Sequence, residues 1–66
     1  MQVTVNGESK ELADNTTIDA LIDALGLAEV PVVVQLNDEI VNRDRYPETV
    51  LAEGDVVELV RFVGGG

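Results

Sequence analysis

The sequence ends in three consecutive glycines, Gly64, Gly65 and Gly66, which directly follow an apolar, strand-like run. Glycine loses more conformational entropy on ordering than any other residue, so a glycine run adds nothing to a core. A run without Cβ atoms is nevertheless slim enough to enter a narrow channel in another protein, and its α-carboxylate is unhindered. We therefore expect a flexible tail over residues 64–66, whose terminal carboxylate is the substrate of another protein.

That carboxylate becomes an acyl donor only when one of its oxygens is made a leaving group, commonly by attack on the α-phosphate of ATP. The chain has no Gly-x-x-x-x-Gly-Lys phosphate loop and only four basic residues, so we do not expect it to bind ATP. It has no Cys and no His, which excludes disulfides, Cys/His zinc sites and the usual nucleophile–base pairs. We predict no intrinsic catalytic residue, no metal and no bound cofactor, hence a co-substrate and not an enzyme.

The charge is strongly unbalanced, with thirteen acidic residues, four basic ones and a formal net charge of −9. Such a surface repels nucleic acid and anionic membranes and attracts a partner with a basic docking face. The alternative is that the acidic residues only keep a small domain soluble. No apolar run is long enough to cross a bilayer, and "MQVTVNG" lacks the features of an export signal. We expect a cytoplasmic protein that is monomeric when free.

The first half of the chain predicts a hairpin and a helix. Residues 1–5 alternate apolar and polar side chains, Asn6-Gly7 favours a two-residue turn, and "ESKEL" (8–12) is expected to return antiparallel. In "TIDALIDALG" (17–26) the apolar residues take the helical spacing i, i+3, i+4 and i+7. They are Ile18, Leu21, Ile22 and Leu25. Thr17 is the expected N-cap and Gly26 the left-handed residue that ends the helix.

The second half predicts three further strands. "VVVQLN" (32–37) is a β-branched run, and a turn at Asn37-Asp38 leads into a short partner, "EIV" (39–41). Residues 42–51 are polar and are predicted to be irregular, with Tyr46 before Pro47 in an extended or turning backbone and not a helical one. "VVELVRF" (56–62) is the predicted last strand.

The order strand, strand, helix, strand, short strand, strand predicts one α+β domain over residues 1–63. A lone helix covers only one face of the sheet. In the last strand, Val57 and Leu59 are expected to face the helix, and Val60 and Phe62 to lie on the uncovered face. These two form a candidate docking patch, for which the alternative is ordinary surface hydrophobicity.

Several stretches resemble the ThiS family, the sulfur carriers of thiamin thiazole biosynthesis in the ubiquitin-like β-grasp superfamily. They are "VTVNGE", "TTIDALIDALGL", "VVVQLNDEIVNRDRY" and "EGDVVELVRFVGGG", which together span essentially the whole chain. "IVNRDRY" is close to the family's I-V-P-R-x-x-aromatic stretch, with Asn42 in place of the usual proline. The resemblance implies a β-grasp fold, a mixed four- to five-stranded sheet with one helix packed on one face.

The resemblance also implies a mechanism. A ThiF-type adenylyltransferase adenylates the carboxylate of Gly66 with ATP and Mg²⁺, and sulfur from a cysteine desulfurase persulfide displaces AMP to leave a thiocarboxylate. The carrier then inserts this group into thiazole synthase (ThiG). Gly65 and Gly66 are the reacting arm in this scheme, and Gly64 adds reach.

Five further residues are candidate partner contacts under the same resemblance. Val60, Arg61 and Phe62 precede the tail and are the docking candidates; for Arg61 the alternatives are a contact to a partner carboxylate and no contact at all. Arg43 and Tyr46 lie in the family's recognisable stretch, where they are possible contacts to the activating partner. Their structural alternative is that Arg43 pairs with an acid and that the Tyr46 ring covers the core edge with its hydroxyl in water.

Two other hypotheses remain open at this point. A MoaD-like carrier for molybdopterin, or a carrier for cysteine, tRNA thiolation or protein conjugation, shares the fold and the terminal glycines. MoaD-type chains tend to be longer between the helix and the third strand, so the short "LGLAEVPVV" favours ThiS. A β-grasp binding module with an unreactive tail is the alternative from another class.

Overall fold

The computed structural model describes residues 1–61, which form a five-stranded mixed sheet with one α-helix on one face. The strands are β1 (Gln2–Val5), β2 (Glu8–Glu11), β3 (Val32–Leu36), β4 (Glu39–Val41) and β5 (Val56–Arg61), and the helix is α1 (Ile18–Ala24). The order in the sheet is β2-β1-β5-β3-β4, with β1 and β5 parallel and the other neighbours antiparallel. The predicted α+β architecture is confirmed. Predictions for Phe62 and the glycine tail lie outside the described residues.

Both predicted hairpin turns are present and have the backbone that their sequences favour. Asn6 and Gly7 have φ angles of 50° and 82°, and Asn37 and Asp38 have 50° and 70°. Two successive positive φ angles match the right-handed twist of the flanking strands, which is why Asn, Asp and Gly occupy these positions. The turns therefore set the registers of β1 with β2 and of β3 with β4.

Helix α1 begins and ends at the residues that its capping signals predict. The Oγ1 of Thr17 accepts a hydrogen bond of 3.1 Å from the amide of Ala20. At the other end, Gly26 has φ 75°, and the amide of Leu27 reaches back 3.0 Å to the carbonyl of Ile22. This is the Schellman arrangement, which satisfies carbonyls that the last turn leaves free.

The predicted place of Leu25 in the buried stripe is wrong. Ile18, Leu21 and Ile22 are buried as predicted, whereas Leu25 is the C-cap and its side chain is 36% exposed. The Schellman turn changes the direction of the chain at this point, and Leu27 packs against the core in its place.

The core lies between α1 and one face of the sheet. Its most buried members come from both the helix and the sheet. They are Val3, Ile18, Leu21, Val34 and Val57. No buried side-chain polar atom within residues 1–61 lacks a hydrogen-bond partner. In the same stretch, the helices are too short and too polar to traverse a lipid bilayer.

The prediction that residues 42–51 are irregular is wrong for Arg43–Arg45, which form a 3₁₀ helix. Tyr46, which follows it, lies in a turn, so of the extended or turning backbone predicted before Pro47 it takes the turning one, with right-handed helical angles of φ −57° and ψ −45°. A proline only disfavours the right-handed helical region for the residue before it. Hydrogen bonds from elsewhere in the fold are therefore sufficient to impose this backbone on Tyr46.

Those hydrogen bonds come from the start of α1. The amide of Asp19 donates to the carbonyl of Tyr46 at 3.2 Å, and the amide of Ile18 donates to the carbonyl of Thr49 at 3.0 Å. The first amides of a helix have no partner within it, so they require acceptors from outside. The segment after the 3₁₀ helix therefore caps α1, a long-range role that local sequence patterns do not reveal.

Candidate functional site

Strand β5 leads from the core toward the terminal glycines and lies in the middle of the sheet. It pairs with β1 on one side and with β3 on the other. Val57 and Leu59 are buried beneath α1, as predicted, and Val60 is 55% exposed on the uncovered face. Phe62, the second member of the predicted docking patch, lies outside the described residues.

The uncovered face carries more apolar surface than the sequence analysis identified. Val60 lies opposite Val33, and Gln35 lies opposite both Glu58 and Ile40 in the two neighbouring strand pairs. The side chains of these paired residues share one face. We call the apolar residues of this face the open-face patch; they are Val33, Ile40, Val56 and Val60.

Ile40 is the most exposed member of the patch, at 68%, and it is not among the docking residues predicted from the sequence. A signal was present, because a two-residue turn at Asn37-Asp38 fixes Gln35 opposite Ile40. Gln35 alternates with the apolar Val34 and Leu36, which places it on the opposite face, and cross-strand partners share a face. The strand "EIV" was identified only as a hairpin partner, without this step.

Arg61 is not brought together with Val60. The two residues are adjacent in β5, so their side chains project from opposite faces of the sheet. Arg61 is exposed, and it lies on the side of the sheet that α1 covers, near Leu59. The predicted docking residues of β5 therefore belong to two different surfaces.

Tyr46 has the structural role that was the alternative to a partner contact, because its ring packs in the core. Its side chain is 7% exposed within the core cluster, and its hydroxyl donates a 3.3 Å hydrogen bond to the carbonyl of Val32. The hydroxyl is thus bonded to protein and not to water alone. Arg43 is exposed, and the ion pairs within residues 1–61 do not include it. A partner role for Arg43 stays a prediction.

Replacement of Tyr46 by Phe is expected to lower the free energy of unfolding by about 1 kcal/mol, because the bond to the Val32 carbonyl is lost while the ring remains. Urea denaturation followed by far-UV circular dichroism measures this difference. Tyr46→Ala, which also empties the ring's place, should cost about 3–5 kcal/mol. A Phe variant as stable as the parent would show that the hydroxyl contributes nothing.

Asn6 ties the end of β1 to β5 through its backbone and its side chain. Its amide donates to the carbonyl of Val57 at 2.9 Å, and its Oδ1 accepts from the amide of Leu59 at 2.8 Å. In a parallel ladder that second acceptor would be the backbone carbonyl of Asn6 itself. The Asn6 side chain therefore adds one more hydrogen bond to the β1–β5 ladder after the backbone has entered the turn.

Asn37 holds the beginning of β5 in a similar way. Its Oδ1 accepts from the amide of Val56 at 2.9 Å, and its Nδ2 donates to the Asp55 carboxylate at 3.1 Å. Local sequence predicts both asparagines only as turn residues. Their contacts join positions 53 and 19 residues apart, which no local pattern indicates.

Asn6→Gly is expected to lower the free energy of unfolding by about 1 kcal/mol, because the Leu59 amide loses its acceptor. Glycine keeps the positive φ without strain, so the loss reports the side chain. Asn6→Asp is the matched control, because it retains both an acceptor oxygen and tolerance of this backbone. Amide hydrogen exchange at Leu59 should accelerate in the Gly variant alone. Equal exchange in both variants would contradict the assigned hydrogen bond.

The described part of the chain offers little intrinsic chemistry. Within residues 1–61, no group of three or more Asp or Glu side chains is placed to hold a metal ion. β5 does lead the chain out of the core along a fixed path. Hydrogen bonds from two turn asparagines hold the strand, and an exposed apolar face lies beside it. This arrangement suits the presentation of the residues that follow Arg61 to another protein.

Comparison with known proteins identifies the family. The family model described as "ThiS family" matches residues 3–66. The sulfur carrier protein ThiS of Bacillus subtilis is 41% identical over 63 residues, covering 94% of this chain and 96% of the relative. A thiazole synthase of Paramagnetospirillum magneticum is 36% identical over 66 residues, which are all of this chain and 20% of the relative. The chain thus spans about a fifth of that relative's length.

A solved structure supports the same assignment at the level of the fold. The crystal structure of the thiamine biosynthesis protein ThiS from Geobacter metallireducens superposes with a TM-score of 0.85 at 36% identity, and the match covers 100% of both chains. The five-stranded mixed sheet with one helix on one face is therefore the ubiquitin-like β-grasp that the resemblance implied. Sequence, family model and three-dimensional fold agree, and the chain belongs to the ThiS family.

Proposed function

We propose that this chain is a sulfur carrier for thiamin biosynthesis, and that the carboxylate of Gly66 carries the sulfur. The observation that carries the proposal is the extent of the family match, which continues through residues 64–66. The Bacillus subtilis relative, of which 96% is covered, is named a sulfur carrier protein. The chemistry then resides in the terminal α-carboxylate, and the folded domain serves recognition and delivery.

The proposed reaction has two steps at this carboxylate. One carboxylate oxygen attacks the α-phosphorus of ATP on a ThiF-type adenylyltransferase with Mg²⁺, and pyrophosphate leaves. A sulfur nucleophile then attacks the acyl carbon, and AMP leaves. If the sulfur arrives as a cysteine desulfurase persulfide, a thiol must cleave the resulting S–S bond to release the thiocarboxylate. The chain supplies no general acid or base in this scheme, so it acts as a co-substrate and not as an enzyme.

The proposed acceptor of the sulfur is a thiazole synthase. A protein of that name contains a segment 36% identical to this whole chain, which is 20% of the protein's length. A carrier-like segment within such a protein supports a working relationship between carrier and synthase. We further propose that the reaction takes place in the cytoplasm.

Two exposed features are proposed for partner recognition, one apolar and one cationic. The open-face patch offers apolar area beside Glu58, and the net charge of −9 favours a partner with a basic rim. Arg43 on the 3₁₀ helix remains a candidate contact. Tyr46 is proposed to act only by supporting this region from inside the core.

The test of the function is intact-mass spectrometry of the chain after incubation with ATP, Mg²⁺, a ThiF-type enzyme and sodium sulfide. The expected result is one oxygen-to-sulfur exchange, located on Gly66 by fragmentation. Omission of ATP is the first control, and a chain amidated at its C-terminus is the second. An unchanged mass with several activators that are competent on their own carriers would overturn the proposal.

A further inference from the structure

Strand β5 continues beyond the point where β1 stops pairing with it. The last parallel pair is Val5 with Val57, whereas pairing with β3 continues to Arg61. Backbone groups of alternate residues point to the same side of a strand, so those of Leu59 and Arg61 point toward β1 as Val57's do. Within residues 1–61, the Leu59 amide is taken by the Asn6 side chain, and no strand runs beside the Leu59 carbonyl and the Arg61 amide there.

A groove of about 500 Å³ opens at this same place. It lies between the turn end of the β1–β2 hairpin, the C-terminal end of α1 and the end of β5, and we call it the β5 groove. Its apolar lining is Val5, Leu25, Leu27 and Leu59, and its charged lining is Glu8, Lys10 and Arg61. Because α1 ends at Ala24, the side chain of Leu25 is left exposed at the groove and not buried in the helical stripe.

The charge of the β5 groove is opposite to that of the whole molecule. Lys10 and Arg61 are two of the four basic residues of a chain whose net charge is −9, and among residues 1–61 the one acidic residue that lines the groove is Glu8. A ligand attracted by the overall field would be cationic. A ligand matched to this groove is anionic at its edges and apolar in its middle.

We propose that the β5 groove binds an extended acidic–apolar segment of a partner protein by strand addition. The segment pairs with the Leu59 carbonyl and the Arg61 amide and inserts one apolar side chain between Leu25 and Leu27. Its carboxylates face Lys10 and Arg61. Main-chain hydrogen bonds supply affinity in this mode of recognition, and pockets for alternate side chains supply specificity. The proposal depends on the proposed function in one respect, that the partner is an enzyme acting on the residues after Arg61.

A strand bound in the β5 groove would affect how the residues after Arg61 are delivered to the partner. Within residues 1–61, the last contact that holds β5 on its β1 side is at the Leu59 amide, so a strand bound at Arg61 would extend the sheet around the last described residue. The partner would thereby fix the direction in which the chain leaves the domain. This surface is separate from the open-face patch, because it lies on the face of β5 that α1 covers.

The first experiment uses two peptides and the full-length chain labelled with ¹⁵N. The probe is acetyl-Glu-Leu-Glu-Val-Glu-amide, and the control is acetyl-Lys-Leu-Lys-Val-Lys-amide. We expect the glutamate peptide to shift the amide signals of Asn6, Leu27, Leu59 and Arg61 and to slow hydrogen exchange at Arg61. Tighter binding of the lysine peptide at these residues, or no shift up to millimolar glutamate peptide, would overturn the proposal.

The second experiment uses charge-reversal variants with a matched control. Lys10→Glu and Arg61→Glu should each weaken binding of the glutamate peptide about fivefold, the scale of one partly exposed ion pair. Arg45→Glu makes the same change in net charge on the 3₁₀ helix, where Arg45 is exposed away from the groove, and should weaken it less than about twofold. Equal losses in all three variants would show a general charge effect and overturn the groove assignment.

The outcomes separate this inference from the proposed function. If sulfur exchange at Gly66 occurs but the glutamate peptide shifts only the open-face patch, the groove proposal is wrong and the carrier function stands. If the peptide binds as expected but no sulfur exchange occurs with competent activators, the carrier function is wrong. The groove would then still be established as a strand-binding site.

Discussion

Removal of Gly65 and Gly66 is expected to abolish thiocarboxylate formation and to leave the free energy of unfolding unchanged. The truncation moves the α-carboxylate back by up to about 7 Å along the chain. A displacement of about 1 Å from a reactive geometry already costs on the order of 10²-fold in rate. The carboxylate should therefore fail to meet the α-phosphate on the activating enzyme, and the rate should fall below about 10⁻³ of the parent value. Intact-mass spectrometry over a time course measures the rate.

The stability half of this prediction depends on where the core lies. Within residues 1–61, the last member of the core cluster is Leu59, and the strand pairs described for β5 end at Arg61. Urea denaturation of the truncated and parent chains should give equal midpoints. A chain that keeps its cellular sulfur-transfer function without these two glycines would favour the binding module with an unreactive tail. A chain that loses function and also unfolds would point to a structural role for the tail.

Local sequence signals were sufficient for most of the fold. The alternation in β1, the helical spacing of Ile18, Leu21 and Ile22, and the turns at Asn6-Gly7 and Asn37-Asp38 each determine structure within a few residues. Such features can be identified from one sequence because propensity, apolar pattern and turn chemistry all favour the same conformation.

The features that the sequence did not reveal depend on contacts between distant residues. The 3₁₀ helix at Arg43–Arg45 precedes carbonyls that cap α1, and the pre-proline preference of Tyr46 gives way to this tertiary demand. The side-chain acceptor of Asn6 becomes meaningful only when β5 is placed beside β1. Leu25 fits the helical period, but the turn at Gly26 removes it from the core.

The candidate site shows the same division. The exposure of Val60 follows from alternation within β5, whereas the open-face patch requires the pairing of three strands. The placement of Val60 and Arg61 on opposite faces also follows from the alternation of side chains along β5. It matters for partner contacts because α1 covers one of the two faces. β5 thus presents an apolar face and a cationic groove on opposite sides of the same exit from the core.

Leu21→Ala is expected to lower the free energy of unfolding by about 3 kcal/mol. The side chain is 1% exposed between α1 and the sheet, and truncation of a buried Leu costs about 2–5 kcal/mol through lost burial and the cavity left behind. A domain of 66 residues has a total stability of roughly 3–10 kcal/mol. At the low end of this range the variant is partly unfolded at 37 °C, and sulfur transfer then falls with the folded fraction.

Leu25→Ala is the matched control, because it makes the same chemical change on the same helical stripe. Its side chain is 36% exposed at the C-cap, so we expect a loss below about 1 kcal/mol. Urea denaturation followed by tyrosine fluorescence suits both variants, since the chain has one Tyr, the buried Tyr46, and no Trp. Equal losses in the two variants would place Leu25 in the core, as the helical period alone predicts, and would contradict the end of α1 at Ala24. A clear difference would also leave Leu25 available at the β5 groove, because a residue that contributes little to the core is free to contact a partner.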